Sequence, residues 1–297
     1  MRRRYFTLDV FTTQRFAGNP LAVVLDSSGL ESAAMQSIAR EFNLPETVFV
    51  LPASDAKHRA GVRIFTPARE LPFAGHPTVG TAVLLAHLDG ETGSREIVLA
   101  EEVGPVACEV QPGGAFGRAT FAIPKIPKHL GVVRDAGKLA AALGLKAVDL
   151  NCGNFAPENW NAGNSFAFVP VRDRETIGRA RPDMARWGEA FGQGDPPGAF
   201  LFCREVVDPA HSYHARMFAP AMGILEDPAT GSAVAAFAGV LAASGLGDGR
   251  HDFVIEQGYE MGRPSLLHLS LSLRGGALES ATVGGDAVIV SEGMIEA

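Results

Sequence analysis

The chain has 297 residues, of which 46% are hydrophobic and 20% are charged, so it can bury either one large core or two of ordinary domain size, of which two is the better expectation. Its 26 basic and 33 acidic residues give a net charge of -7, and because the basic residues are scattered, a nucleic-acid partner is not expected. The chain lacks the run of about 18 apolar residues that a membrane span needs, and the basic start MRRRYF leads into no signal peptide. Three widely spaced cysteines without a CxxC pair indicate reduced thiols. We therefore expect a cytoplasmic protein of two domains without a structural metal.

The first half of the sequence predicts strands around one buried helix. The segments YFTLDVFT and LAVVLD, separated by the turn sequence GNP, predict a hairpin. Apolar residues at helical spacing predict a helix over residues 30–42 that is capped by Ser27 or Ser28 and ends near Asn43. After two further predicted strands, TVFVLP and GVRIFT, the segment TVGTAVLLAHL is apolar on nearly every side. This composition predicts a helix inside the core.

The second half repeats motifs of the first. VRIFTP, which begins at Val62, resembles ARMFAP, which begins at Ala215. HPTVGTA, which begins at His76, resembles DPATGSA, which begins at Asp227, and each copy runs directly into an apolar helix. The motifs of the two halves agree in their order, in their residue types and in the helix that follows them. This agreement predicts two related halves, each with strands wrapped around a helix.

A proline-rich stretch near Pro127 separates the two halves. We therefore predict an N-terminal domain over residues 1–127 and a C-terminal domain over residues 128–280. The last strands alternate cleanly between apolar and polar residues, and a C-terminal strand at about 281–297 could rejoin the first domain.

Each predicted helix start carries glycines and one titratable side chain. Glycine permits close backbone approach at Gly75, Gly80 and Gly231, and unpaired N–H groups at a helix start attract carboxylates and developing negative charge. His76 precedes one helix and Asp227 the other, so a pseudo-twofold protein would set one proton-transfer group on each side of a cleft. The facing N–H groups could stabilise a carbanion or enolate without a metal or cofactor. The pattern predicts a racemase or isomerase acting on an acidic substrate.

Glu46, in NLPETVFV, is the third candidate because apolar residues flank it closely, and a hydrophobic wall would raise its pKa into a useful range. Taken singly, each candidate also has an ordinary interpretation, since a lone glutamate is most often solvated, His76 could be a hydrogen-bonded turn residue and Asp227 an N-cap. Their occurrence on matched repeats favours function. Glu70 and Glu226, by contrast, are explained at least as well by ion pairs. The histidines, including His211 and His214, show no metal-ligand spacing.

Five motifs in order, NPLAVVLD, NLPETVFV, FTPARELPFAGHPTVGTA, EDPATGSA and EQGYEMGRPS, resemble the phenazine-biosynthesis PhzF-like family over nearly the whole chain. The resemblance implies an α+β, diaminopimelate-epimerase-like fold of two similar pseudo-twofold-related domains, each a mostly antiparallel β-barrel around a central helix. It also implies an active site in the cleft between the domains, and commonly a homodimer.

The resemblance further implies roles for individual residues. Glu46 matches the family glutamate that shuttles a proton between carbons of a dihydro-hydroxyanthranilate, and His76 and Asp227 match residues that position the substrate and assist proton movement. Gly75, Gly231 and Ser232 would bind substrate oxygens, largely through backbone N–H groups. The epimerase relatives use two cysteines at the helix starts, and here those positions carry His76 and Asp227 instead.

Three functions stay open at this point. The first is a cofactor-independent isomerase that moves a proton on a small carboxylate with Glu46 as acid and base. The second is an amino-acid epimerase or racemase using His76 and Asp227 as opposed bases. The third is a catalytically silent metabolite-binding protein that keeps the cleft. The fold alone does not choose among substrates.

Overall fold

The chain forms two compact units. The first comprises Met1–Ala122 and Gly284–Ala297, and the second comprises Ile123–Val283, so the chain leaves the first unit once and returns to it at its end. The structure, a computed structural model, describes residues 1–90, 92–114, 116–133, 135–191 and 198–297. Among these residues no helix has the length and apolar character needed to cross a membrane.

Most of the secondary-structure elements are strands, and a few helices lie between them. Up to residue 122 they are β1 (Arg2–Val10), β2 (Asn19–Val24), α1 (Ser32–Phe42), β3 (Glu46–Leu51), β4 (Ala60–Phe65), β5 (Glu70–Leu71), α2 (Gly75–Leu88), β6 (Arg95–Glu101), β7 (Gly104–Gly113) and β8 (Phe116–Ala122). From there they are β9 (Lys128–Val132), α3 (Ala136–Ala142), β10 (Glu158–Asn161), β11 (Ser165–Pro170), α4 (Arg174–Arg179), α5 (Met184–Phe191), β12 (Gly198–Cys203), β13 (Tyr213–Ala219), β14 (Ile224–Asp227), α6 (Gly231–Ala242), β15 (Gly249–Gln257), β16 (Ser265–Arg274) and β17 (Ala277–Glu296).

The first unit is a closed barrel of eight strands. Around the barrel the order is β1, β2, β3, β4, β6, β7, β8 and the last part of β17, which pairs with both β8 and β1. β1 and β2 form the predicted antiparallel hairpin, with Tyr5 opposite Val24. β2 and β3 run parallel, which places Leu21 opposite Glu46, and β4 and β6 also run parallel. A parallel pair needs a crossover, and α1 and α2 supply one each.

The second unit repeats this order of strands. β11 and β12 are parallel, as are β13 and β15, and α6 connects β14 to β15 as α2 connects β5 to β6. Each unit also contains a matching ion pair. In the first unit Arg63 Nε lies 2.6 Å from Glu70 Oε1, and in the second Arg216 Nε lies 2.7 Å from Glu226 Oε1. The predicted α+β fold with a barrel around a helix is confirmed.

The central helices are buried on all sides. Twelve of the fourteen residues of α2 are buried, as the uniformly apolar sequence predicts. Gly80 lies against the barrel wall, where a Cβ atom would come within 2.6 Å of Leu21 Cδ2 and 2.8 Å of Val10 Cγ2. The absence of a side chain at Gly80 therefore permits the close approach of the helix backbone to the strands of the barrel wall.

Helix α1 ends where the sequence predicts and so fixes the start of the next strand. Asn43, with φ of 51°, terminates it in the left-handed conformation, three residues before Glu46. The predicted serine cap is wrong, because the N-cap is Glu31 and the Ser27 hydroxyl donates instead to the Val24 carbonyl. The sharp end of α1 holds Glu46 at the first position of β3.

Candidate active site

Glu46 and His76 meet inside the first unit. Glu46 begins β3 and His76 is the second residue of α2, and their Oε2 and Nε2 atoms are 3.3 Å apart. The side chains are 12% and 5% exposed, so the pair is largely shielded from water. Two residues that the sequence predicts as proton-transfer groups therefore lie side by side in a buried environment.

His76 is held as a neutral imidazole. Burial lowers its pKa to about 3, although a hydrogen bond to the Pro20 carbonyl acts in the opposite direction. Because Nε2 faces Glu46, we assign the bond with Pro20 to Nδ1, which must then carry the ring proton. Nε2 is left as an acceptor. A hydrogen bond between the pair therefore requires the proton to come from the Glu46 carboxyl.

Helix α2 starts at least two residues earlier than the sequence predicts, because His76 is expected to precede it. The helix begins at Gly75, with Ala74 as an extended N-cap, so His76 lies within the first turn rather than before it. Pro77 does not prevent this, because a first-turn residue needs no backbone N–H donor. No side-chain hydrogen bond caps this end in the described part of the chain. The amides of Gly75 and His76 thus lie at the positive end of the helix dipole.

The last residue of β6 joins this helix start through a threonine. Thr78 Oγ1 lies 2.8 Å from the Ala74 carbonyl oxygen and 2.7 Å from Glu101 Oε1. Glu101 is only 8% exposed, and burial raises its pKa to about 8 against the opposing effect of the Thr78 hydroxyl. It also borders a cavity of 490 Å³ together with Arg63 and Glu70.

Asp227 lies in the second unit at a corresponding but not identical place. It ends β14 and is 8% exposed, and α6 begins four residues later at Gly231, with Ser232 next. Thr230 is the N-cap residue, so the N-cap interpretation of Asp227 is wrong. The Thr230 hydroxyl donates to Asp227 Oδ2 at 2.6 Å.

Gln257, the last residue of β15, completes this arrangement. Its Nε2 donates to the Asp227 carbonyl at 2.7 Å and to Thr230 Oγ1 at 3.0 Å, and its Oε1 accepts from the Thr230 backbone N–H. All these groups are buried. The backbone and carboxylate of Asp227 are therefore held by one threonine and one glutamine.

The weaker candidates have structural partners. Glu70 and Glu226 form the ion pairs with Arg63 and Arg216 described above. His214 lies between Glu256 and Glu260, at 2.8 Å and 2.9 Å, and these carboxylates raise its pKa although burial opposes them. The cysteines, all of them buried thiols, are Cys108, Cys152 and Cys203.

Sequence reasoning missed four side chains that hold the helix starts: Thr78, Glu101, Thr230 and Gln257. Gln257 lies in EQGYEMGRPS, a motif that carries the family resemblance, so a signal was present. Glu101 is the last residue of an ordinary alternating strand, and no feature of the sequence marked it.

Comparison with known proteins gives one consistent result. A family model described as phenazine biosynthesis-like protein (PhzC-PhzF) matches residues 8–293. An uncharacterized isomerase of Mesorhizobium japonicum is 47% identical over 297 residues, covering 99% of this chain and 98% of the relative. A trans-2,3-dihydro-3-hydroxyanthranilate isomerase of Pseudomonas fluorescens is 34% identical, covering 98% of each chain. The crystal structure of a PhzF-family phenazine biosynthesis protein of Bacillus anthracis matches with a TM-score of 0.89 at 25% identity, covering 100% of both chains.

Proposed function

Because the chain belongs to the phenazine biosynthesis-like PhzC-PhzF family of isomerases, we propose that it moves a proton between two carbons of a small, carboxylate-bearing substrate, with Glu46 as the acid and base. The observation that carries this proposal is the buried contact of 3.3 Å between Glu46 Oε2 and His76 Nε2. A carboxyl group beside a neutral imidazole acceptor can take up a proton, keep it out of water and release it again.

The proposed reaction consists of two proton transfers. The Glu46 carboxylate removes a proton from a substrate carbon, so a C–H bond breaks, a carboxyl O–H bond forms and the electron pair stays on the substrate. The new O–H can donate to His76 Nε2, which holds the proton in place. Glu46 then returns it to a different carbon. The pair ends in its starting state.

The negative charge that develops on the substrate needs a partner. The amides of Gly75 and His76 at the start of α2 are suited to an anionic oxygen. We propose the same role, separately, for the amides of Gly231 and Ser232 at the start of α6. Asp227, whose position Thr230 and Gln257 fix, is proposed to assist proton movement, as the family resemblance implies. No step of this scheme requires a cofactor.

The test uses trans-2,3-dihydro-3-hydroxyanthranilate as the first probe, since a relative 34% identical carries that name. The reaction is run in heavy water and followed by NMR. The natural protein should move the double bond of the probe, and the spectrum shows whether the new C–H position carries deuterium from the solvent or hydrogen retained from the substrate. Glu46→Gln should abolish the transfer while binding persists. Glu41→Gln, an exposed residue of α1, is the matched control.

The outcomes separate the remaining functions. Full turnover by Glu46→Gln would remove Glu46 from its proposed role. Loss of optical rotation of a free amino acid, abolished by either His76→Asn or Asp227→Asn, would favour the epimerase. Thermal stabilisation by a metabolite that is recovered unchanged and without deuterium would favour a binding protein. The homodimer and the cytoplasmic location remain predictions, and sedimentation measures the first.

A further inference from the structure

The two helix starts are held by similar hydrogen-bonded ties, although their threonines occupy different positions of the repeat. In the first unit the tie joins Glu101, the last residue of β6, to Thr78 in the first turn of α2. In the second it joins Gln257, the last residue of β15, to Thr230 at the N-cap of α6. Both strands follow their helix in the chain, and each runs parallel to an earlier strand of its unit, β6 to β4 and β15 to β13.

The proton direction of the second tie is fixed by chemistry. An amide nitrogen only donates, so Gln257 Nε2 must give a proton to Thr230 Oγ1. The Thr230 hydroxyl then has its own proton available for Asp227 Oδ2, at 2.6 Å. The sequence of donors runs from the strand end, through the threonine, to the segment before the helix.

Counting protons in the first tie gives the same direction. Thr78 Oγ1 is within hydrogen-bond distance of two oxygens, the Ala74 carbonyl at 2.8 Å and Glu101 Oε1 at 2.7 Å. A hydroxyl carries one proton, so an ionised Glu101 and the Ala74 carbonyl, which both only accept, would compete for the Thr78 proton. A neutral Glu101 that donates to Thr78 Oγ1 satisfies both contacts.

We propose that Glu101 and Gln257 are positioning residues of the two helix starts, and that Glu101 acts as a neutral carboxylic acid that donates its proton to Thr78 Oγ1. It is the functional equivalent of the Gln257 amide. The assignment of the Glu101 proton stands by itself, whereas its effect on turnover rests on the proposed function, because the residue that Thr78 helps to place is His76.

The surroundings of Glu101 favour the neutral form. The residue as a whole is 8% exposed, and burial raises its pKa to about 8. Among the residues that the structure describes, none of the titratable groups around Glu101 supplies a free positive charge. Arg63 is engaged by Glu70, the Cys108 thiol is neutral with a pKa raised to about 12, and His76 is neutral. The next residue in the chain, Glu102, adds only a further acid.

Loss of the Glu101 proton would weaken the first helix start. Above a pH of about 8 the carboxylate can no longer donate, and the single Thr78 proton must then serve either Glu101 or Ala74. The turn from Ala74 to Thr78 carries His76, so its neighbour Glu46 would lose a fixed partner. The proposal therefore predicts an alkaline limit on activity that originates outside the reacting groups.

The proton is observed directly by carbon-13 NMR of protein labelled at its glutamate carboxyls. In the natural protein we expect one buried carboxyl that stays protonated at pH 6.5 and titrates near pH 8. Its signal should vanish in Glu101→Gln and persist in the control Glu102→Gln. The proposal is overturned if no such carboxyl exists, or if the signal survives in Glu101→Gln.

Turnover is then measured from pH 6 to pH 10. Glu101→Gln keeps a hydrogen-bond donor to Thr78, so its kcat at pH 7 should stay within about twofold of that of the natural protein. The decrease in kcat that the natural protein shows above pH 8 should be absent from this variant. Glu101→Leu and Gln257→Leu remove a donor without changing the side-chain size greatly, and each should lower kcat about tenfold with a smaller change in KM. Unchanged kcat in both leucine variants would refute the positioning role.

The NMR titration and the turnover assay test the two proposals independently. If the natural protein does not isomerise the probe, the proposed function fails but the NMR titration still decides whether Glu101 is neutral. If the titration fails while turnover is normal, only the inference about Glu101 is lost.

Discussion

Replacing Glu101 with glutamine should make the folded protein more stable, and the gain should grow with pH. A glutamate with a pKa of 4.5 in an unfolded chain and about 8 in the folded protein binds more protons when folded, throughout the interval between these values. Stability must therefore fall as pH rises through this interval. At about 1.36 kcal/mol for each pH unit, the group costs the natural protein up to about 5 kcal/mol at pH 8 and about 3 kcal/mol at pH 7.

Glutamine has no such proton to lose and retains the donor to Thr78, so Glu101→Gln should be free of this cost. The assay is urea unfolding of both proteins at pH 5, 6.5 and 8, with Glu102→Gln as the matched control. The difference in unfolding free energy between Glu101→Gln and the natural protein should be small at pH 5 and increase steadily up to pH 8. A difference that is constant with pH, or an equal gain in the control, would refute the buried neutral acid.

Three further predictions concern the site and its support. His76→Asn, which removes the acceptor beside Glu46, should lower kcat at least tenfold in the isomerisation assay, and a normal rate would exclude a role in proton transfer. Thr230→Val removes the hydroxyl that holds Asp227 and should lower kcat, whereas Thr230→Ser keeps the hydroxyl and should not; equal rates in the two variants would contradict the tie. Gly80→Ala places a methyl group against the barrel wall and should cost about 1–3 kcal/mol in urea unfolding, and a neutral effect would show that the helix can shift.

The sequence was informative where one local pattern determines the structure. The uniformly apolar runs after GHPTVG and EDPATG predicted α2 and α6 as buried helices, and the turn at Asn43 predicted the end of α1, because burial and backbone conformation act over a few residues. The repeat was visible for the same reason. The family resemblance and the fold class drawn from it are confirmed.

The sequence was less informative where partners come from distant segments. The contact of Glu46 with His76 joins residues 30 positions apart, and the tie between Thr78 and Glu101 joins residues on a helix and a later strand. The two motifs also look more alike than their backbones are, because His76 lies inside its helix whereas Asp227 ends a strand. Whether a glycine serves a ligand or a neighbouring side chain, as at Gly80, depends on packing that periodicity does not encode.

Strand β17 has a consequence for how the protein is made. The barrel of the first unit includes residues from Gly284 onward, which lie between β8 and β1, so its wall has a gap until nearly the whole chain has left the ribosome. Strand β1 must therefore wait for β17, while the second unit can complete its own strands in the meantime. During translation the first unit, which contains Glu46 and His76, should consequently mature later than the second. A nascent chain stalled before Gly284 should expose the open edges of β1 and β8 to chaperones.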